Sequence, residues 1–165
     1  MFILALGTLS AACSSDDELT LEEFFEQGRA ISDDFEVQIE EVYENFPNDG
    51  QETDESLEAE KAAYGEFATV YDEFFDELAT LNPPPEAEDA FDELLTAGRE
   101  IAEYLEELSG RVEEVESFDE LGQLLEEGEA ESDALQEAYT AACQSLQDIA
   151  DANDIVADLG CADPL

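Results

Sequence analysis

The sequence predicts an all-α protein, an up-down four-helix bundle with long amphipathic helices. Three observations support this fold class. Apolar residues recur at steps of three and four along most of the chain, which is the spacing of one buried face on an α-helix. No segment alternates apolar and polar residues as a half-buried β-strand would. The acidic residues fall between the apolar positions, so each predicted helix keeps an uncharged face that can be buried.

The first predicted helix opens with the sequence Thr20-x-x-Glu23, a capping box in which each side chain caps the backbone amide of the other residue. Its apolar stripe continues to Phe46, and Pro47 is expected to stop it because proline cannot continue a helix. The stripe consists of Leu21, Phe24, Gly28, Ile31, Phe35, Ile39, Val42 and Phe46.

The second helix is predicted from about Asp54 to Leu81, on a heptad pattern that is interrupted only at Glu60. Its aromatic members are interpreted as core residues rather than as a ligand cage. The stripe consists of Leu57, Tyr64, Phe67, Tyr71, Phe74, Leu78 and Leu81.

The third helix is predicted from about Pro85 to Glu116, because proline is well placed in the first turn of a helix. Its stripe is Ala87, Phe91, Leu94, Gly98, Ile101, Leu105, Leu108, Val112 and Val115. Small residues on the stripes of several helices are expected to let the helices approach closely. They are Gly28, Gly98, Gly128, Ser132 and Ala142.

The fourth helix is predicted to start at a second capping box, Ser117-x-x-Glu120. The stretch from Glu126 to Asp133 contains Gly128 and few large apolar side chains, so a bend or break of the helix is predicted there. The stripe consists of Leu121, Leu125, Gly128, Ser132, Leu135, Tyr139, Ala142, Leu146 and Ile149.

The charge of the chain is extreme: 48 acidic residues stand against 4 basic ones, with no histidine, for a net charge of −44. Nucleic acid is excluded as a partner, because its phosphates are bound by Lys and Arg. We expect the acidic faces to bind divalent cations weakly, without a dedicated site. Because salt screens the self-repulsion, we also expect a halophilic or salt-tolerant source and a fold whose melting temperature rises with NaCl.

The N-terminus carries a short apolar run, residues 2–9, that is followed by small residues and Cys13. The run is too short to cross a membrane, which takes about 20 residues, and it has the length of the apolar region of a signal peptide. Residues 9–13, Leu-Ser-Ala-Ala-Cys, resemble the lipobox of bacterial lipoproteins.

The resemblance implies that residues 1–12 are a cleaved signal peptide, that Cys13 carries the lipid, and that residues 13–18 form a polar tether. Residues 19–165 would then be an acidic helical domain, exported and held by its lipid on the extracytoplasmic side of the cell membrane. Two alternatives remain open: plain secretion after a small-x-small cleavage site, and a cytosolic chain with a misplaced start.

The cysteine count bears on this choice, because exported proteins tend to pair their thiols. If Cys13 is lipidated, Cys143 and Cys161 are left to form one disulfide, with a free buried Cys143 as the alternative. The bridge would stabilise the fold by roughly 3 kcal/mol in the chain-entropy model. It would pin the tail along the fourth helix, so that Ile155 and Leu159 cover the end of the core. Residues 142–161 also weakly resemble the C-terminal end of small uncharacterised actinobacterial lipoproteins, which implies no activity.

Missing residue types exclude several activities. Without histidine, the nucleophile triads, the usual zinc sites and the Glu-x-x-His di-iron sites of helical bundles each lack a required group. The sequence has no glycine-rich phosphate loop. We therefore predict no catalytic residue, no cofactor and no metal ligand.

The predicted function is a non-enzymatic, lipid-anchored module of the bacterial cell envelope with an interaction or structural role, and no motif identifies a protein partner. The alternative is an envelope lipoprotein that binds a ligand or cation, which a buried cavity with converging polar groups would favour. An enzyme would require a carboxylate pair that is shielded from water.

Overall fold

The computed structural model describes residues 19–45, 53–157, 159 and 161. Its four helices are α1 (Leu21–Asn45), α2 (Asp54–Leu78), α3 (Glu88–Glu113) and α4 (Phe118–Ala152). Consecutive helices pack against each other, α1 on α2, α2 on α3 and α3 on α4. The predicted all-α four-helix bundle is confirmed.

Side chains cap the starts of the first two helices. The Thr20 amide donates to the Glu23 carboxylate at 3.1 Å and the Glu23 amide to the Thr20 hydroxyl at 3.3 Å, which confirms the predicted capping box. A second box was not predicted: the Ser56 amide donates to the Thr53 hydroxyl at 3.1 Å, and the Thr53 amide to the Ser56 hydroxyl at 2.9 Å. Serine takes the place of the usual Glu or Gln there, which is why the sequence pattern did not show it.

The start of α4 forms only half of its predicted box. The Glu120 amide donates to the Ser117 hydroxyl at 3.3 Å, but the Glu120 carboxylate accepts from the Glu116 amide, at 2.7 Å. The helix then runs unbroken to its end, so the break predicted between Glu126 and Asp133 is wrong. A single glycine costs a helix only about 1 kcal/mol relative to alanine, and Gly128 is buried against α3.

Two helix boundaries at the proline corner differ from the prediction. α2 ends at Leu78 rather than Leu81, because the residues that follow close tighter turns between positions i and i−3. α3 begins at Glu88 rather than Pro85, because residues 85–87 form a turn before it, in which the Ala87 and Glu88 amides both donate to the Pro84 carbonyl. The corner holds the beginning of α1 in place as well, since the Leu19 amide donates to the Asn82 carbonyl at 3.4 Å.

The core consists of two apolar clusters at opposite ends of the bundle. Among the residues that the structure describes, Ser56 and Ser109 are the only buried polar ones, and none that is buried carries a charge. The smaller cluster joins the start of α2, the end of α3 and the start of α4 through Leu57, Leu108, Val112, Val115, Leu121 and Leu124. The main cluster lies where α1 and α3 begin and α2 and α4 end, and its aromatic members are Phe24, Phe25, Phe35, Tyr71, Phe74, Phe75 and Phe91.

The ring of helices is open on one side. Over the described part of the chain, α1 and α4 do not approach each other as closely as the three consecutive pairs do. Residues 129–134 of α4 are all exposed, including Ser132, which was wrongly predicted to lie at a close helix contact. We call this side the α1–α4 gap.

Gly98 of α3 packs against Phe75 of α2, whose side chain is 1% exposed. A Cβ atom at position 98 would overlap the buried ring. We therefore expect Gly98→Ala to lower the free energy of unfolding by about 1–3 kcal/mol, the usual cost of overpacking a core.

Gly110→Ala is the matched control in the same helix, because no atom lies within 4 Å of its added Cβ. The control should raise the free energy of unfolding by up to about 1 kcal/mol through helix propensity. Urea denaturation followed by circular dichroism measures both values, and a Gly98→Ala variant as stable as the native chain would contradict this packing.

Candidate functional site: a tyrosine cleft in the α1–α4 gap

A cavity of about 170 Å³ opens in the middle of the α1–α4 gap. All four helices contribute to its wall, so it depends on the whole bundle rather than on one local motif. We call it the tyrosine cleft, and its lining consists of Tyr43, Phe67, Tyr71, Ile101, Tyr104, Leu105, Ser132, Leu135 and Gln136.

Four of the five tyrosines of the chain form one group at this place. Tyr43, Tyr71 and Tyr104 line the cleft, and Tyr64 interacts electrostatically with Tyr43 and Tyr104. The fifth, Tyr139, lines a separate cavity and packs against the main cluster.

Phenylalanine rings hold two of the tyrosines in position. The ring of Tyr71 meets that of Phe35 edge-on at 5.1 Å between centroids. The ring of Tyr43 likewise meets that of Phe67 at 5.1 Å. Tyr43 is 58% exposed and lies at the rim, whereas Tyr71 is 7% exposed and forms the floor.

A glycine brings α4 close to the third lining tyrosine. The Tyr104 hydroxyl donates to the backbone carbonyl of Gly128 at 3.3 Å. A Cβ atom at position 128 would overlap that hydroxyl, so only glycine allows this approach. The expectation that Gly128 permits close helix packing is met here, between α3 and α4.

Glu60 places negative charge at the end of the group that contains Tyr64. It is half-buried, and burial raises the pKa of its carboxyl above the ordinary value. The pKa of Tyr64 is raised first by burial and then by the nearby Glu60 carboxylate. Glu60 is the residue that interrupts the heptad of α2, so the break in the pattern marks the polar end of this group.

A second carboxylate lies near Tyr104. Burial raises the pKa of this phenol, and the charge of Glu131 raises it further. The guanidinium of Arg111 acts in the opposite direction, but it is paired with Glu127 at 3.3 Å. The surroundings of the cleft are therefore net negative.

Of the predicted site residues, Cys13 lies outside the described residues. The sulfur atoms of Cys143 and Cys161 lie at bonding distance, 1.96 Å, with their Cα atoms 5.6 Å apart. The side chain of Gln147 also holds the tail: it donates to the Ala157 carbonyl at 2.8 Å and accepts from the Leu159 amide at 3.2 Å.

The tail after α4, which Cys161 and the Gln147 side chain hold against that helix, fills one end of the α1–α4 gap. Ile155 and Leu159 pack against the main cluster, as the sequence predicted. Leu159 lies beside Phe24 and Phe25 of α1 and leaves a cavity of only about 50 Å³ there. The tyrosine cleft, farther along the same gap, has no such covering segment among the described residues.

The sequence stripes did not identify the cleft. The prediction that the aromatic stripe of α2 forms core is confirmed, since Tyr71 is buried in the main cluster and Tyr64 packs against the smaller one. Tyr43 and Tyr104 belong to no predicted stripe. The one signal was indirect: the break at Glu60 and the tyrosines instead of phenylalanines on α2. Which helices face each other across the gap is a tertiary property that one sequence does not state.

No group of three or more Cys, Asp or Glu side chains within the described ranges is arranged to hold a metal ion. No helix in the same ranges is both long enough and apolar enough to cross a membrane. Comparisons with models of known protein families, with curated proteins and with solved structures find no match.

The burial of tyrosine side chains predicts that the fold loses stability at alkaline pH. Burial raises the pKa of Tyr71 above its ordinary value and that of Tyr139 to about 12. Because the folded state holds these phenols neutral, their contribution to stability is complete below about pH 10, the pKa of a free tyrosine. It is lost as the pH rises towards 12.

Phenolate absorbance and helical circular dichroism, recorded together in one titration, measure this transition. We expect the buried tyrosines to ionise late and together with loss of helix. Titration in urea is the control and should give ordinary tyrosine ionisation. If all five tyrosines ionised at their ordinary pKa with the helices intact, the cleft would be open to water and this packing would be wrong.

Proposed function

We propose that this chain is an exported, lipid-anchored and non-enzymatic module of the bacterial cell envelope that binds a small molecule in its tyrosine cleft. The observation that carries the proposal is the cleft itself, a cavity whose wall combines apolar side chains with a few polar ones. Binding sites for small molecules commonly combine an apolar lining with a few placed polar groups. In the cleft the polar residues are the lining tyrosines, Ser132 and Gln136.

The placement of the carboxylates supports a binding role over catalysis. Acid-base chemistry by a carboxylate pair requires two carboxyl groups that are shielded from water. No Asp or Glu within the described ranges is buried. With no histidine in the chain, the remaining catalytic groups are few.

Two features support an anchored position outside the cell. The net charge of −44 gives the body no attraction to an anionic membrane, so acyl chains on Cys13 would have to hold it there. A disulfide between Cys143 and Cys161 would suit an oxidising compartment.

The anchor is tested by mass spectrometry of the membrane fraction from a bacterial host that processes lipoproteins. We expect an N-terminal peptide that begins at Cys13 and carries a diacylglyceryl group. Cys13→Ala should move the protein out of the membrane fraction, while the matched variant Cys143→Ala keeps the lipid. A peptide that begins at unmodified Cys13, or one that retains Met1, would contradict the anchor and favour plain secretion or a cytosolic chain.

The cleft is tested by tyrosine fluorescence. The chain has no tryptophan, so its intrinsic emission comes from the tyrosines, four of which form the group at the cleft. A screen of small neutral and cationic molecules should find at least one that changes this emission saturably. Ser132→Phe, at an exposed position on the cleft wall, should fill the cleft and weaken the effect, while Ala138→Phe, exposed on the same helix outside the lining, should not. Equal binding by both variants would contradict a site in the cleft.

A further inference from the structure

We propose that the tyrosine cleft binds a free quaternary ammonium cation of about the size of choline. The inference rests on the proposed function, in which the cleft holds a small molecule, and it adds the chemical class of that molecule. Three properties of the cleft support it: its aromatic wall, its charge and its size.

The wall of the cleft presents aromatic rings from three helices. Tyr43 comes from α1, Phe67 and Tyr71 from α2, and Tyr104 from α3, and all four line the same cavity. A cation within about 6 Å of an aromatic ring is attracted by the negative face of its π-system, and methylated ammonium groups bind in aromatic cages for this reason. The phenylalanine packing described above keeps two of these rings in place.

The charge around the cleft favours a cation over an anion. Glu60 and Glu131 act electrostatically on the tyrosines, and the one basic residue that does so, Arg111, is paired with Glu127. The net charge of −44 raises the local concentration of any cation. A zwitterion with its own carboxylate would lose part of this attraction, so the ligand is a simple cation.

The donors of the cleft favour an organic cation without N–H groups. Ca²⁺ and Mg²⁺ require six or more oxygen ligands, and no cluster of acidic side chains in the described ranges meets this need. A primary ammonium group brings three N–H donors, each of which would need an acceptor. A quaternary ammonium group has none, so its methyl groups can pack against the rings and aliphatic side chains that make up most of the wall. The Ser132 hydroxyl and the Gln136 amide can serve the alcohol group of such a ligand.

The volume of the cleft is sufficient for a cation of this size. A cavity of about 150 Å³ in another protein accommodates a benzene ring, which has six non-hydrogen atoms. The tyrosine cleft measures about 170 Å³, and choline has about seven such atoms. A lipid headgroup would also bring a phosphate, which Glu60 and Glu131 disfavour, so the ligand is a free molecule.

The first test compares choline with dimethylbutanol, the neutral analogue in which carbon replaces the nitrogen. Titration at constant ionic strength, followed by tyrosine fluorescence and calorimetry, should give a choline Kd between roughly 1 µM and 1 mM. The neutral analogue should bind at least about tenfold more weakly. If the two compounds bind equally, the inference of a cationic ligand is overturned but the proposed function is not. If neither compound binds, the inference is also overturned, and the wider fluorescence screen then decides whether the cleft binds any small molecule.

The second test uses Tyr43, whose exposure makes a folding defect easy to avoid and to check by circular dichroism. Tyr43→Leu should weaken choline binding roughly two- to fivefold, as expected for an exposed ring, while Tyr43→Phe keeps the ring and the affinity. Tyr104→Leu and Tyr104→Phe repeat this comparison at a less exposed position. Unchanged affinity in both leucine variants overturns the proposal, as does equal loss in both phenylalanine variants.

The third test separates the two sources of a quaternary ammonium group. Free choline should bind, and phosphatidylcholine vesicles added to the domain without its lipid should neither sediment it nor change its tyrosine emission. If the domain bound these vesicles but not choline, the proposal of a free ligand would be overturned, and the cleft would be assigned to a membrane headgroup.

Discussion

The rest of this structure depends on one constraint: 48 carboxylates must remain in contact with water while four helices pack together. Removing an unpaired charge from water costs far more than any single apolar contact returns. Each helix can therefore bury only a narrow stripe, and within the described ranges that stripe carries no charge. The bundle is accordingly held by apolar clusters at its two ends. The main cluster, where all four helices meet, is rich in phenylalanine.

The same constraint explains why the ring of helices opens between α1 and α4. Residues 129–134 of α4 read Glu-Ala-Glu-Ser-Asp-Ala and supply no large apolar side chain to place against α1. The helix persists there because alanine and glutamate are good helix formers and backbone hydrogen bonds are local. This stretch lacks packing contacts with α1 but keeps its helical backbone. The sequence predicted a bend or break of the helix here, whereas the structure has a gap between two intact helices. The C-terminal tail fills one end of that gap, and the cleft occupies its middle.

The sequence predicted the features that depend on interactions between residues close in the chain, and it missed those that depend on residues far apart. Three- and four-residue periodicity and the Thr20 capping box are local, and they predicted the four helices and the bundle. The cover of Ile155 and Leu159 was predicted from the expected bridge between Cys143 and Cys161. The predicted end of α2 and the predicted start of α3 were wrong by about one turn, because tight turns and prolines at this corner override the apolar periodicity. The cleft could not be predicted, since Tyr43 and Tyr104 lie off the apolar stripes and meet only when the helices assemble.

The distribution of aromatic residues supports the proposal that the cleft is a binding site. Phe24, Phe25, Phe74, Phe75 and Phe91 lie together in the main cluster, which also buries Tyr71. Tyrosine has nearly the same shape as phenylalanine but adds a hydroxyl that must be satisfied. No side-chain nitrogen or oxygen within the described ranges is buried without a hydrogen-bond partner, so the five hydroxyls either bond within the protein or reach water or a ligand. Phenylalanine would fill this volume at a lower desolvation cost, so the placement of Tyr43, Tyr71 and Tyr104 in the wall of one cavity supports the proposal of a polar or cationic occupant.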